Sequence, residues 1–339
     1  MAVGDPLINF RFHLVSLTAI FLALAIGITM GATVVQKKTV DALDARIKSV
    51  EQKVTPLEHQ VDQLNAQHAL DADHANAAAD IAVVGRLPQV NVMMTAPEGT
   101  DRGAIDNLRD ALLRAGANVE GTLWFTQKLR LDKPADVQAL AQQLNVADPT
   151  ADALRALVVS RLVATWVAGP AGTAAVTSGT GAAGGAPTAG SANSLTAILA
   201  AKSWLTWEPA PKNSLTLANL PLRNTYFVVV SDSGASVPNE QLALPLATAL
   251  ASAMVDRVVA AEDGRSATDK TPAQRALFVG PLRGNPDLAG KLSTVDNLDN
   301  PYGRVATVMA LANEAQTVPK VGDFGEGPGI DRFLPEPSQ

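Results

Sequence analysis

The chain of 339 residues has a net charge of −6 at neutral pH, from 27 Lys and Arg against 33 Asp and Glu, and it contains no cysteine. The negative charge argues against nucleic acid as the main partner, because phosphate binding requires clustered Lys and Arg. The lack of cysteine excludes disulfides, thiolate catalysis and Cys-type zinc sites, and it is compatible with an extracytoplasmic location.

The first element in chain order is an apolar segment, residues 14–35, that contains no charged residue. About 20 apolar residues suffice for a helix to cross the hydrocarbon core of a bilayer. The segment therefore predicts a single membrane-spanning helix after a short N-terminal segment, residues 1–13. Within it, Gly27 and Gly31 form a GxxxG pair that permits close contact between membrane helices. A cleaved signal peptide is the alternative, with a weak small-x-small site at Thr29 and Gly31.

Residues 36–80 are predicted to form a coiled coil, because apolar side chains recur there at alternating gaps of three and four residues. β-branched residues at every a position and Leu at most d positions favour a parallel two-stranded coil. These interface positions are Val40, Leu43, Ile47, Val50, Val54, Leu57, Val61 and Leu64. The coil is expected to join two copies of this chain or this chain and a different partner. An amphipathic helix packed on the chain's own domain is the other alternative.

Two features interrupt the coil. Pro56 lies inside it, and a proline within a helix costs about 3 kcal/mol. The heptad register passes through Pro56 without slipping, which predicts a kink or a brief restart rather than the end of the helix. His68 and Asp71 occupy the next a and d positions, so the apolar stripe fades there.

Residues 81–320 are predicted to form an α/β domain: a three-layer, Rossmann- or flavodoxin-like parallel sheet that lacks a nucleotide site. Short apolar segments alternate there with helical patterns, which is typical of a parallel sheet covered on both faces. The predicted strands are 90–95, 117–125, 226–231, 258–261 and 292–295, and the predicted helices are 104–115, 135–144, 151–167, 194–201, 241–256 and 302–316. Residues 169–191 are predicted to be a flexible loop, because they have one large apolar side chain, Val176. The Gly/Pro-rich tail, 321–339, is predicted to be irregular.

The motifs for nucleotide binding and His-based catalysis are missing from this domain. The first strand-to-helix turn reads APEGTD, which lacks the three spaced glycines of a dinucleotide site, and no GxxxxGK[ST] occurs anywhere. All four histidines precede the domain. Asp232, Asp296 and Asp299 follow predicted strands, where α/β active sites collect, but roles as turn-forming and N-cap residues are favoured over catalysis. The sequence thus predicts a protein that is not an enzyme.

The sequence offers only weak metal ligands. His68 and His74 are six residues apart, which places them on different faces of a helix, unlike an i, i+4 pair. A selective cuprous site needs Cys or clustered Met. Cys is absent, and the one Met pair, Met93 and Met94, lies in a predicted buried strand. We therefore expect no cofactor and no specific metal site, with copper binding, if any, limited to weak cupric binding at the two histidines.

Several segments together resemble a known family. They are FRFHLVSLTAIFLALAIGITMGATVV (10–35), the heptads after it, the tail segment GDFGEGPG (322–329) and, most specifically, STVDNLDNPYGRVATVMALANEA (293–315). The resemblance is to the actinobacterial MctB family of copper transporters, whose relatives in cell division are called SteB, and it covers nearly the whole chain. It implies a role in copper homeostasis or efflux.

The resemblance also implies an alternative function. A SteB-type protein is a non-catalytic partner that, with a SteA-like membrane protein, regulates a peptidoglycan hydrolase. A lone apolar helix cannot line an aqueous pore without several copies, which favours this alternative mechanistically.

Two indications of orientation disagree. The Lys and Arg residues flanking the apolar segment lean towards a cytoplasmic C-terminal domain. The resemblance instead implies a single-pass protein of the cell membrane with residues 1–13 in the cytoplasm and an extracytoplasmic C-terminal domain, or alternatively an outer-membrane protein.

Overall fold

The computed structural model describes residues 6–168, 194–211, 213, 215–217, 224–264 and 275–336. The chain divides into two units, Met1–Asp71 and Ala72–Gln339, each with its own internal contacts. The predicted flexible loop, 169–191, lies outside the described residues.

Helix α1 (Pro6–Val83) runs through both units. Its residues up to Asp71 are the described part of the first unit, and its last turns, from Ala72, belong to the second unit. It continues through Pro56, so the prediction that this proline does not end the helix is confirmed. Its part Phe10–Ala32 is exposed along its length and is long and apolar enough to cross a membrane. This supports anchoring by the predicted N-terminal helix. A signal sequence would have the same properties, so that alternative stays open.

The second unit is built on a seven-stranded sheet with the strand order β3-β2-β1-β4-β5-β6-β7. All neighbouring strands run parallel except β2 and β3, which are antiparallel. The strands are β1 (Asn91–Pro97), β2 (Asn118–Phe125), β3 (Leu205–Pro209), β4 (Thr225–Asp232), β5 (Val258–Asp263), β6 (Ser293–Val295) and β7 (Asp323–Phe324). The helices are α2 (Arg102–Arg114), α3 (Pro134–Leu144), α4 (Ala151–Ala168), α5 (Ser194–Ala201), α6 (Ala243–Ala253), α7 (Gly280–Arg283) and α8 (Pro301–Glu314). The predicted α/β fold is confirmed.

Helices cover both faces of this sheet. On β4, Phe227 and Val229 face the core made with α3, α4 and α6. Val228 and Val230, between them, face the core made with α2, α8 and the end of α1. A strand whose side chains are buried on both faces reads as a continuous apolar run, which is why these strands were recognisable in the sequence. The predicted three-layer arrangement is confirmed.

Side-chain caps fix where two helices on one face begin. The carboxylate of Asp101 accepts a hydrogen bond from the backbone N–H of Gly103 at the start of α2 (2.7 Å). The side-chain oxygen of Asn300 accepts one from the N–H of Gly303 at the start of α8 (3.1 Å), where Pro301 occupies the first turn. Such caps satisfy backbone donors that a helix leaves unpaired at its N-terminus. Both helices therefore begin directly after a strand, at the carboxyl edge of the sheet.

Two strands were not predicted. β3 is a five-residue edge strand that ends in Pro209, and of its side chains only Leu205 is fully buried. β7 lies inside the tail that was predicted to be irregular, so that prediction is wrong for Asp323 and Phe324. A two-residue strand has no periodicity to recognise, and long-range contacts hold this one in place.

Candidate functional site

The strand order of the sheet reverses between β1 and β4. Open α/β sheets bind ligands in the crevice at such a point. Here two loops contact each other across it. The carboxylate of Asp232 accepts hydrogen bonds from the N–H groups of Asp101 (2.8 Å) and Gly234 (2.7 Å). Gly99, with φ of +93°, lies so close to Gly234 that a Cβ atom would overlap the Gly234 carbonyl oxygen. The two loops therefore meet across the crevice.

We expect the chain to bind no ATP, NAD or FAD, because these loops meet across the crevice and lack the spaced glycines that a pyrophosphate requires. Isothermal titration calorimetry of the full chain in detergent should show only the heat of dilution for each nucleotide. A micromolar dissociation constant for any of the three would contradict this expectation.

The carboxylate of Asp296, after β6, holds the C-terminal tail. It forms a buried ion pair with Arg283 (2.7 Å), the two side chains being 0% and 4% exposed. It also accepts hydrogen bonds from the backbone N–H groups of Glu326 (2.7 Å) and Gly327 (2.9 Å). Gly325 and Gly327 lie so close to this carboxylate that a side chain on either would collide with it. Gly325 and Gly327 thus allow the tail to pack closely on Asp296.

The neighbouring acidic side chains are also occupied by internal partners. Glu262, at the end of β5, accepts three backbone N–H bonds, from Leu277, Phe278 and Val279 (2.8–3.0 Å). Asp299 pairs with Arg275. The turn role predicted for Asp232 is confirmed by its bond to the N–H of Gly234 two residues on. Asp296 and Asp299 also make contacts distant in sequence, with Arg283 and Arg275 respectively.

The buried carboxyl groups with raised pKa values do not converge on one site. Burial raises the pKa of Glu120, at a β-bulge in β2, to about 7. Burial raises the pKa of Glu314, near the end of α8, to about 8, against hydrogen bonding from Ser293. Burial also raises the pKa of Asp232 and of Glu262, although backbone N–H bonds oppose the rise in both. Perturbed carboxyl groups mark a catalytic site when they meet in a cleft, and these lie on separate strands and helices.

Glu314 should make the stability of the domain depend on pH. Its folded pKa of about 8 exceeds the ordinary value of 4.5. The contribution of Glu314 to the free energy of unfolding is therefore complete below pH 4.5. It falls by up to about 1.4 kcal/mol per pH unit above that and is lost as the pH rises through about 8. Glu314→Gln should flatten the fall in unfolding free energy over that range. Urea unfolding at several pH values measures this, with the exposed Glu240→Gln as control; equal slopes in all three proteins would contradict it.

A polar cleft of about 630 Å³ lies in the second unit between the last turns of α1, α2 and the start of α8. Its charged side chains are largely paired with one another or with an amide. The pairs are Arg114–Asp80, Arg275–Asp299 and Arg304–Asn76. This network connects the end of α1 to the α/β domain.

The eight interface positions predicted for the coil, here called the seam, form an exposed stripe on α1 in the single chain. Their exposed fractions lie between 41% for Val54 and 58% for Val50 and Leu57. These eight large apolar side chains recur at heptad spacing, so they are not surface residues scattered singly.

The charged side chains beside the seam would meet different partners in a parallel and in an antiparallel pair of α1 helices. Arg46 and Lys53 occupy g positions, and Glu51 and Glu58 occupy the e positions that follow. In a parallel, in-register pair, g of one helix lies beside the next e of the other, so Arg46 meets Glu51 and Lys53 meets Glu58. An antiparallel pair would place like charges together.

The structure leaves the predicted metal ligands apart. His68 and His74 are both exposed on α1, and a spacing of six residues places them about 120° apart around a helix axis. Within the part of the chain that is described, no three His, Asp or Glu side chains come together as a metal site would require. Met93 and Met94 are fully buried in β1, as predicted.

These features define an α/β protein with an N-terminal apolar helix long enough to cross a membrane, an exposed heptad seam and two loops that meet across the switch point. The chain belongs to the MctB family: the family model described as "Copper transport outer membrane protein, MctB" matches residues 7–335. It is similar to proteins named "Copper transporter MctB" from Mycobacterium tuberculosis and Mycobacterium bovis, with 25% identity over 331 residues, 95% of this chain and 98% of each relative. The resemblance read from the sequence is confirmed.

Proposed function

We propose that this chain acts in copper homeostasis of the cell envelope as a membrane-anchored, parallel homodimer without catalytic activity. The copper role comes from the family, whose description and relatives' names refer to copper transport. The dimer is supported by the exposed seam and by the charges at Arg46, Glu51, Lys53 and Glu58, which complement one another in that arrangement alone.

In this proposal the copper role does not depend on a cuprous site within one chain. Thiolates are absent from the sequence, and the paired thioethers of Met93 and Met94 are buried in the sheet. Copper tolerance would then depend on the assembled dimer and its effect on the cell envelope. It would not depend on thiolate or thioether ligands inside the α/β domain.

For location, we propose a single-pass protein of the cell membrane with an extracytoplasmic α/β domain, and the outer membrane of the family description is the alternative. A partner other than a second copy could still use the seam. The family description and the relatives' names refer to copper transport and not to cell division. The SteB-type role therefore stays a prediction from the resemblance.

Copper tolerance of cells tests the proposed function. A strain lacking this gene should regain tolerance with the wild-type chain and with Gln52→Asp, which adds a carboxylate at an outward f position. It should not regain tolerance with Val54→Asp, which places the same group in the seam. Equal membrane levels of the three proteins must be verified by immunoblot. Full tolerance with Val54→Asp at that level would contradict a role for the dimer in copper homeostasis.

A further inference from the structure

The seam is followed by two polar residues at core positions. The heptad register that ends at Leu64 continues with His68 at a and Asp71 at d. Residues three apart lie on the same face of a helix, so both side chains point towards a partner that packs on the seam. Both are exposed in the single chain. Polar groups in the core of a coiled coil destabilise it, so their presence there calls for a compensating interaction.

A second copy would bring four ligands together. One chain supplies an imidazole and a carboxylate, too few to hold a metal ion, and no larger group converges within the described residues of one chain. The parallel, in-register dimer places two imidazoles and two carboxylates in adjacent layers of the coil, about 4.5 Å apart along its axis. Helical bundles bind metal ions with His and carboxylate side chains spaced i, i+3 on facing helices.

We propose that the dimer holds one divalent transition-metal ion between its two copies, at His68 and Asp71 of each. This inference rests on the proposed dimer. Two nitrogen and two oxygen ligands suit Zn²⁺ or Cu²⁺ and not the softer Cu⁺. Without a metal ion, two carboxylates face each other in the coil and weaken it, and the ion removes this repulsion. Metal binding and dimerisation therefore strengthen each other.

Sedimentation equilibrium of the full chain in density-matched detergent tests the proposal, with EDTA and then with buffered Zn²⁺ or Cu²⁺. For the wild type, the dimer dissociation constant should fall about tenfold when free metal is about ten times its own dissociation constant. The metal should bind at one ion per two chains. His68→Leu places an apolar residue at the core position, so its dimer should be tight in EDTA and unaffected by metal. His74→Ala, outside the core positions, should respond to metal like the wild type.

The outcomes separate the metal site from the dimer. A wild-type dimer whose dissociation constant does not respond to metal would overturn the metal site and leave the proposed dimer intact. A response abolished by His74→Ala, or one ion per chain, would also overturn it. If the wild type and His68→Leu are both monomeric, the proposed dimer itself is wrong, and the site between its copies falls with it.

Discussion

Val54→Asp should convert the dimer of the full chain into monomers. Val54 is an a position at the middle of the seam, and in a parallel dimer the substitution would bury two carboxylates against each other and against apolar neighbours. We expect the dimer dissociation constant to rise at least about 100-fold, equivalent to about 3 kcal/mol. Sedimentation equilibrium in density-matched detergent measures the change directly.

The matched control is Gln52→Asp, which adds the same charge to the same turn at an outward position. It should leave the dissociation constant within about threefold of the wild type, since exposed substitutions change free energies by about 0.5 kcal/mol. Equal weakening by both variants would mean that net charge, and not the seam, controls association. A wild type that is already monomeric at high micromolar concentration would exclude the homodimer and leave a coil with a different partner.

Asp296→Asn should destabilise the α/β domain strongly. The substitution removes the carboxylate but leaves the Arg283 guanidinium buried, and breaking a buried pair in this way costs about 3–5 kcal/mol. The substitution also weakens the hydrogen bonds that the backbone N–H groups of Glu326 and Gly327 donate to this side chain, so the tail should detach. Urea unfolding followed by tryptophan fluorescence reports on this domain alone, because all four Trp residues lie in it.

The control for this variant is Asp287→Asn, an exposed carboxylate near the same ion pair in sequence. It should change the unfolding free energy by less than about 0.5 kcal/mol. Limited proteolysis should cleave the tail of Asp296→Asn faster than that of the control or the wild type. If Asp296→Asn unfolds at the wild-type urea concentration, the Asp296 contact does not hold the tail.

The sequence predicted those elements whose signals are local. The central strands were recognisable because their side chains are buried on both faces, as at Phe227–Val230. β3 was missed because an edge strand with one fully buried side chain has little pattern to detect. The role of Asp296 was missed because its partners, Arg283 and the tail, meet it only in the folded chain. Turn chemistry predicts neighbours along the chain, not contacts across the sheet.

Cysteine cross-linking in cell membranes tests the parallel, in-register homodimer most directly, because the chain has no cysteine of its own to interfere. Leu57→Cys places a thiol at a d position, where two copies bring their side chains close enough for a disulfide. Gln52→Cys places a thiol on the outside. Under mild oxidation, we expect Leu57→Cys to form a disulfide-linked dimer and Gln52→Cys to remain a monomer. No cross-link at Leu57→Cys, or equal cross-linking at both positions, would contradict the dimer on which the proposed function rests.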